Sequence, residues 1–320
     1  MTDSRPVSDF TENELIARIS KFLAQTTDVE LGPGDDCAIV RFDDRRALMT
    51  TDVLVEGRHF RLDWISARDL GRRAIAQNLA DVAAMGARPT AVIVALTIPG
   101  DVSIGWLEDL AAGMGAETAA AGAAVTGGDL VRGPAVSIAV TAAGTMDGAT
   151  PVLRSGARPG DTLAHAGNVG WGAAGFALLE AGQREGELVA AHLVPQPPLA
   201  AGIAAQRAGA TAMLDVSDGL LRDAQRIAAA SHVVLDIEEA AIGKWEKPLR
   251  SAAAQVGVDP RTWVLGGGED HGLLATFPPE AKLPAPFTKI GEVGSTSGEP
   301  EVLIAGRPAQ VPPGWDHFAG

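Results

Sequence analysis

The chain has 320 residues, 46% of them apolar, enough for a sizeable core in one large or two medium domains, and it shows no run of eighteen apolar residues that could span a membrane. Its formal net charge of −14 argues against a surface for nucleic acid or anionic membrane, because such surfaces need clustered Lys and Arg. Cys37 is the single cysteine, which excludes an intrachain disulfide and a cysteine-rich metal site, and the polar N-terminus lacks a signal-peptide core, so we expect a cytoplasmic protein.

The first half of the chain mixes predicted strands and helices. Three segments are rich in β-branched or alternating apolar residues, which predicts strands: residues 45–57, 89–99 and 134–146. Residues 66–87 place apolar side chains at helical spacing, and Gly86 is a suitable stop. A second helix is predicted over residues 106–122.

Turn-forming residues concentrate at 145–161, so we place a domain boundary near residue 148, giving domains 1–148 and 149–320. The second half predicts strands at 161–167, 232–238 and 271–278, and a helix that starts at Trp171. Residues 210–231 predict a strand, a turn and a helix, with Ser217 or Asp218 as the helix N-cap. Strands and helices do not alternate strictly, so α+β is the predicted class.

Aspartates recur where the predicted strands and helices end. They stand in five stretches, most of them beside Gly, Ser or Thr: Asp35 and Asp36, Asp52, Asp81, Asp129, and Asp215 with Asp218. Hard cations such as Mg²⁺ prefer oxygen ligands and bridge to substrate phosphates. The glycine loop at 32–34 is not followed by a lysine that could bind a phosphate. Metal held by the aspartates would bind the phosphate instead of such a lysine. Each Gly-Asp pair is also compatible with a simple turn, and Asp218 with a helix cap.

The segment 165–175 contains four glycines between a strand and a helix, which invites comparison with a dinucleotide-binding fingerprint. Only the residues from Gly170 match the spacing, and no acidic residue follows on a second strand about 20 residues later. We therefore do not expect NAD binding, and we attribute the glycines to tight packing of the helix on the sheet.

Read in order, the motifs resemble the thiamine-monophosphate kinase family over nearly the whole chain. They are GPGDDCAIV, TTDVLVEGRHF, NLADVAAMGARP, GGDLVRGP, LRSGARPGD, LDVSDGLLRD and GGGEDHGLL. The resemblance implies an N-terminal domain that dimerises by pairing sheets and a C-terminal domain that closes over the site. It also implies transfer of the ATP γ-phosphoryl group to thiamine monophosphate, giving thiamine diphosphate and ADP, with several Mg²⁺ ions and a homodimer.

The resemblance also implies roles for individual residues. The implied metal ligands are Asp36, Thr50, Thr51, Asp52, Asp81, Asp129, Asp215 and Asp218. The implied ATP contacts are Gly128, Asp129, Arg154 and Ser217, and the implied thiamine monophosphate contacts are His59, Glu269 and Trp315. A cationic thiazolium suits an aromatic face and a carboxylate. His59 could instead be a surface residue at a strand end, Trp315 could only close the C-terminus onto the core, and Arg154 could be solvated.

Two other functions stay open at this point. An enzyme of the aminoimidazole-ribonucleotide synthetase type would also use ATP and Mg²⁺ but would activate an amide oxygen. A non-catalytic metal- or nucleotide-binding module would be expected to lose some of the acids, which are all present here. For the kinase we expect direct in-line transfer without a phosphoenzyme, because the acceptor is already an ionised phosphate.

Overall fold

The computed structural model describes residues 3–23, 26–31, 39–296 and 298–309. The glycine loop with Asp35, Asp36 and Cys37 lies outside the described residues, as does Trp315. The chain forms two compact units, one made of Met1–Val82 and Ala87–Ala149, the other of Ala83–Gly86 and Thr150–Gly320. Within the described ranges, no helix combines the length and apolar character that crossing a membrane requires.

Among its described residues, the first unit contains a four-stranded sheet and three α-helices. In chain order its elements are α1 (Glu12–Ser20), β1 (Val29–Leu31), β2 (Ile39–Val40), β3 (Leu48–Val55), α2 (Ala67–Ala84), β4 (Arg88–Ile98), α3 (Ile104–Ala120), β5 (Ala124–Arg132) and β6 (Ser137–Thr145). The sheet has the order β3-β6-β4-β5, and β1 and β2 form a separate pair. Only the β4–β5 pairing within this sheet is parallel.

One face of the four-stranded sheet is covered and the other is open. Leu70, Ile75 and Leu79 repeat at helical spacing along α2 and are fully buried. Along β4, alternate side chains such as Val92 and Val94 are buried, whereas Ile93 between them is exposed. This period of two separates a core face from a surface face.

The second unit is built on a seven-stranded sheet. Its elements are β7 (Thr162–Ala166), α4 (Trp171–Glu180), α5 (Glu187–Leu193), α6 (Leu199–Arg207), β8 (Ala212–Val216), α7 (Leu220–Ser231), β9 (Val233–Ile237), α8 (Glu239–Val256), α9 (Pro260–Gly266), β10 (Gly272–Phe277), β11 (Thr288–Ser295), β12 (Glu301–Ile304) and β13 (Arg307–Pro308). The strand order is β13-β12-β9-β11-β7-β10-β8. Phe277 and Phe287 meet edge to face at 5.4 Å in one of its cores, with Met213 and Leu273.

The predicted strands and helices are present, and mixed pairing in both sheets confirms the α+β class. The N-cap prediction for α7 was wrong. Gly219 is the N-cap, and no side chain caps the helix. Its φ of +108° and the Gly266 carbonyl oxygen, which would lie 2.7 Å from an added Cβ, both require glycine at this position.

Candidate active site

In the first unit, β3 and α2 bring three of the predicted site residues together on the covered face of the sheet. The Thr50 hydroxyl donates to Asp81 Oδ2 at 2.6 Å. The backbone N–H of Asp52 donates to Asn78 Oδ1 at 3.1 Å, and Asn78 donates in turn to the Ala74 carbonyl at 2.9 Å. Asn78 is 1% exposed, and both its amide oxygen and its amide nitrogen are hydrogen bonded. Its side chain therefore links β3 to α2.

The side chains of Thr51 and Asp129 belong to the opposite face. Thr51 follows Thr50 on the same strand, so its side chain points the other way, and its hydroxyl donates to the Val140 carbonyl at 3.1 Å. Asp129 is exposed on the edge strand β5, opposite Ala95 of β4. The structure therefore does not bring these two side chains to Thr50 and Asp52, and a metal role for them stays a prediction.

Gly128 and His59 occupy positions with tight local constraints. A Cβ on Gly128 would lie 2.0 Å from the Val94 carbonyl oxygen, so the two backbones approach more closely than any side chain would allow. His59 Nδ1 accepts from the backbone N–H of Val55 at 3.0 Å. This bond fixes the ring and, in the neutral imidazole, places the proton on Nε2.

In the second unit, two loops that carry Ser217, Asp218 and Glu269 lie side by side. The turn after β8 carries Ser217 and Asp218, and the segment 266–271 begins at the last residue of α9. The Glu269 N–H donates to the Ser217 carbonyl at 2.8 Å, and the His271 N–H donates to the Val216 carbonyl at 2.9 Å. These main-chain bonds place Glu269 beside the 215–218 turn.

The 266–271 segment carries backbone strain and a buried polar pair. Glu269 and His271 have φ angles of +69° and +52°, which non-glycine residues rarely adopt. His271 Nδ1 lies 3.3 Å from Asp215 Oδ2, and both side chains are 6% exposed. Strained residues of this kind concentrate at functional sites, because the surrounding structure must stabilise them.

Asp270, between the two strained residues, accepts from the N-terminus of α4. Its carboxylate oxygens accept from the N–H groups of Gly170 and Gly172 at 2.5 and 2.8 Å. Burial raises the pKa of Asp270 to about 6, although these N–H groups favour the ionised form. The amides that suggested a dinucleotide fingerprint are thus engaged by a carboxylate. The α4 glycines pack against chain segments other than the sheet, since a Cβ on Gly175 would lie 2.1 Å from the Leu188 carbonyl of α5.

Asp218 is held by two residues of α7. Its backbone N–H donates to Asp223 Oδ2 at 2.9 Å, and its Oδ2 accepts from Arg226 Nη2 at 2.5 Å. Arg226 Nη1 also donates to Asp223 Oδ1. Burial raises the pKa of Asp223, and the Arg226 guanidinium opposes that shift.

Arg154 lies apart from this group within the second unit. Its carbonyl accepts from the Ser231 hydroxyl at 2.8 Å, at the C-terminal end of α7. Asp218 precedes the N-terminal end of that helix, about 16 Å away at 1.5 Å per residue. An ATP contact through Arg154 stays a prediction.

Comparison with known proteins identifies the family. Models of the AIR synthase related protein match residues 34–146 with the N-terminal domain and residues 158–296 with the C-terminal domain. The thiamine-monophosphate kinase of Mycobacterium tuberculosis (strain ATCC 25618 / H37Rv) is 45% identical over 318 residues, covering 99% of this chain and 94% of that protein. The chain belongs to the thiamine-monophosphate kinase family. The thiamine-monophosphate kinase of Escherichia coli (strain K12) is 35% identical over 96% of this chain and 98% of its own.

Solved structures agree with this assignment to the thiamine-monophosphate kinase family. AaThiL complexed with AMPPCP and TMP superposes with a TM-score of 0.78 at 32% identity, covering 97% of this chain and 98% of that one. The predicted family, and with it the phosphotransferase class, is confirmed.

The donor set of this family member fits Mg²⁺ as a partner of phosphate. In the first unit, Thr50 offers a hydroxyl oxygen, and Asp52 and Asp81 offer carboxylate oxygens. In the second unit, Asp215 and Asp218 offer carboxylate oxygens. Within the described ranges, no three His, Cys, Asp or Glu side chains are grouped closely enough to hold a metal by themselves. Mg²⁺ does not need such a cage, because it usually keeps waters and substrate phosphates beside one or two carboxylates.

Several residues that shape the site were missed at the sequence level. Asn78, Asp223, Arg226, Asp270 and His271 all lie within the quoted motifs or a few residues beyond them. Asp223 stands between Arg222 and Ala224, so no apolar run in the sequence marks its burial. The Asp270 contact joins residues 100 positions apart, and no local pattern marks it.

Proposed function

We propose that the protein transfers the γ-phosphoryl group of ATP to thiamine monophosphate, producing thiamine diphosphate for its biosynthetic pathway. The observation that carries the proposal is the pairing of the 215–218 turn with the 266–271 segment. It places Ser217 and the carboxylates of Asp215 and Asp218 beside Glu269 in the second unit. The likeness to AaThiL complexed with AMPPCP and TMP supports the choice of substrates.

In this proposal Mg²⁺, when bound, supplies the positive charge that lets two anionic phosphate groups approach each other. Asp52 and Asp81, together with Thr50 and Asp36 of the glycine loop, would hold metal on the first unit, and Asp215 and Asp218 would do so on the second. Thr51 and Asp129 are also proposed as ligands, from the other face of the sheet. Phosphoryl transfer has a loose transition state, so these residues act by positioning and by offsetting charge.

The remaining proposed residues bind the two substrates. Gly128 and Asp129, with Arg154 and Ser217, contact ATP. His59, Glu269 and Trp315 contact thiamine monophosphate, and the carboxylate of Glu269 suits the cationic thiazolium. The acceptor phosphate is already ionised, so transfer is direct and in line, and no side chain serves as a covalent nucleophile.

Product formation from labelled ATP tests both the activity and the direct transfer. Purified protein incubated with γ-labelled ATP, Mg²⁺ and thiamine monophosphate should place the label in thiamine diphosphate and leave the protein unlabelled. Free thiamine in place of the monophosphate should give no product. Nucleotide binding without diphosphate would refute the substrate assignment, and a kinetically competent labelled protein would refute direct transfer.

We also propose that the open face of the four-stranded sheet pairs with a second copy. Four large apolar side chains are exposed on it, with exposed fractions from 46% to 69%: Met49, Val53, Ile93 and Val131. A monomer rarely leaves so many apolar groups on one sheet face, whereas a second identical face would bury them. The residues carrying this proposal all lie in the first unit.

An aspartate at the centre of this face should dissociate the dimer. Ile93→Asp would place a carboxylate in the paired surface, where it would be desolvated without a partner. We expect wild type to elute at the dimer mass and Ile93→Asp at the monomer mass in chromatography with light scattering. Val258→Asp is the matched control, because Val258 is 38% exposed but lies in the second unit. A monomeric wild type would contradict the proposal.

A further inference from the structure

The contacts around Asp218 form a closed ring of three residues. The Arg226 guanidinium binds one oxygen of Asp218 and one oxygen of Asp223. The other oxygen of Asp223 accepts from the backbone N–H of Asp218 at 2.9 Å. Both the main chain and the side chain of Asp218 are therefore held by the first turns of α7.

The burial of the three groups shows which of them anchors the ring. The Asp223 side chain is fully buried, whereas those of Asp218 and Arg226 are 20% and 33% exposed. Asp223 is the fourth residue of α7, so the helix fixes its position. The ring thus extends from a rigid helix to the partly exposed carboxylate of Asp218, which belongs to the proposed metal ligands.

The geometry of the guanidinium limits how Asp218 can bind a cation. Arginine presents planar donors in a fixed fork, so it can serve two carboxylates in one plane. With Oδ2 of Asp218 engaged at 2.5 Å, Oδ1 is the oxygen outside the ring. A bidentate grip on a metal would have to share Oδ2 with the guanidinium.

We propose that Arg226 is a positioning residue that, with Asp223, orients the Asp218 carboxylate as a ligand for Mg²⁺. This inference rests on the proposed function, because it takes Asp218 as a metal ligand. If Arg226 only stabilised α7, its ion pair with Asp223 of the same helix would be sufficient. Here the guanidinium reaches past Asp223 to a residue on the preceding turn, and Asp223 binds the same residue from the other side.

The test measures Mg²⁺ binding apart from turnover. Thermal unfolding is followed while Mg²⁺ is titrated at saturating AMPPCP, and the half-saturating Mg²⁺ concentration is read from the rise in Tm. For Arg226→Gln we expect this concentration to increase about tenfold, within the range seen when groups that orient metal ligands are removed. Arg226→Lys should fall between Gln and wild type, because its ammonium keeps the charge but not the fork.

Arg261→Gln is the matched control for lost ion pairing. Arg261 also bridges two carboxylates of the second unit, Glu239 and Glu246, and is 29% exposed. Its replacement should lower Tm without ligand and leave the half-saturating Mg²⁺ concentration at the wild-type value. If Arg226→Gln does not fold, the comparison of Arg226→Lys with Arg261→Gln carries the test.

The outcomes separate this inference from the proposed function. A wild type that shows no Mg²⁺-dependent rise in Tm with AMPPCP would refute both. A normal wild-type response with an unchanged half-saturating concentration in the Arg226 variants would overturn the positioning role alone. Tighter Mg²⁺ binding by Arg226→Gln would also overturn it, because it would show that the guanidinium competes with the metal.

Discussion

Replacing Asp81 by asparagine should reduce the turnover of thiamine monophosphate about 10²- to 10³-fold, as removal of one group that stabilises transition-state charge does elsewhere. Asp81 lies on α2 and accepts from the Thr50 hydroxyl at 2.6 Å, which places its carboxylate beside β3. An asparagine keeps the shape and can still accept that hydrogen bond, but it loses the charge that a Mg²⁺ ligand needs. Steady-state rates at saturating ATP and Mg²⁺ provide the measurement.

The folded state of the Asp81 variant should be nearly as stable as that of wild type, which separates a chemical defect from a structural one. Asp69→Asn is the control, because Asp69 lies in the first turn of the same helix and hydrogen bonds with Ser66. That variant should lose about 0.3–1 kcal/mol of stability from the helix terminus and keep its turnover. Near-normal activity of Asp81→Asn would show that the metal assignment at this position is wrong.

The sequence predicted the elements well because their signals are local. Ile75, Leu79 and Val82 repeat every three to four residues along α2, and all three are buried. Gly86, the predicted stop, has a φ of +74°, a conformation that glycine adopts without strain. Such periodicities and turn residues need no knowledge of the partner surface.

The arrangement of the site was harder to predict, because it depends on side-chain direction and distant partners. Three consecutive residues, 50–52, were treated as one ligand set, but a strand sends the side chain of Thr51 to the other face. The cap of α7 was assigned to a side chain, whereas the close approach of Gly266 leaves room only for Gly219. Local sequence preferences do not decide the structure where two segments far apart in the chain come into contact.

The largest expected loss of stability follows from Asp270→Asn. Both oxygens of Asp270 accept backbone N–H groups at the start of α4, at 2.5 and 2.8 Å. An asparagine would offer one oxygen and turn an NH₂ group toward the second N–H, which leaves a buried donor without an acceptor. We expect the free energy of unfolding at pH 7 to fall by about 3 kcal/mol. Urea unfolding measures this change.

A less buried carboxylate of the second unit is the control for Asp270→Asn. Asp236 on β9 accepts from the Gly306 N–H at 3.0 Å, and an asparagine there can still accept through Oδ1. Asp236→Asn should therefore change the free energy of unfolding by less than about 0.5 kcal/mol, as surface substitutions usually do. Equal losses in the two variants would show that the contact between Asp270 and α4 contributes no more to the free energy of unfolding than the Asp236 hydrogen bond does.

Wild type and Asp270→Asn, compared at two pH values, should reveal how the titration of Asp270 affects stability. Burial raises its pKa from 3.8 to about 6, so the native state binds this proton more tightly than the unfolded chain. Its contribution to the free energy of unfolding is therefore greatest below pH 4, falls as the pH rises through about 6, and is constant above that. Asp270→Asn lacks this titration, so its deficit relative to wild type should be larger at pH 4.5 than at pH 7. A deficit that shrinks on acidification would mean that the helix N-terminus stabilises the ionised carboxylate enough to hold its pKa below 3.8.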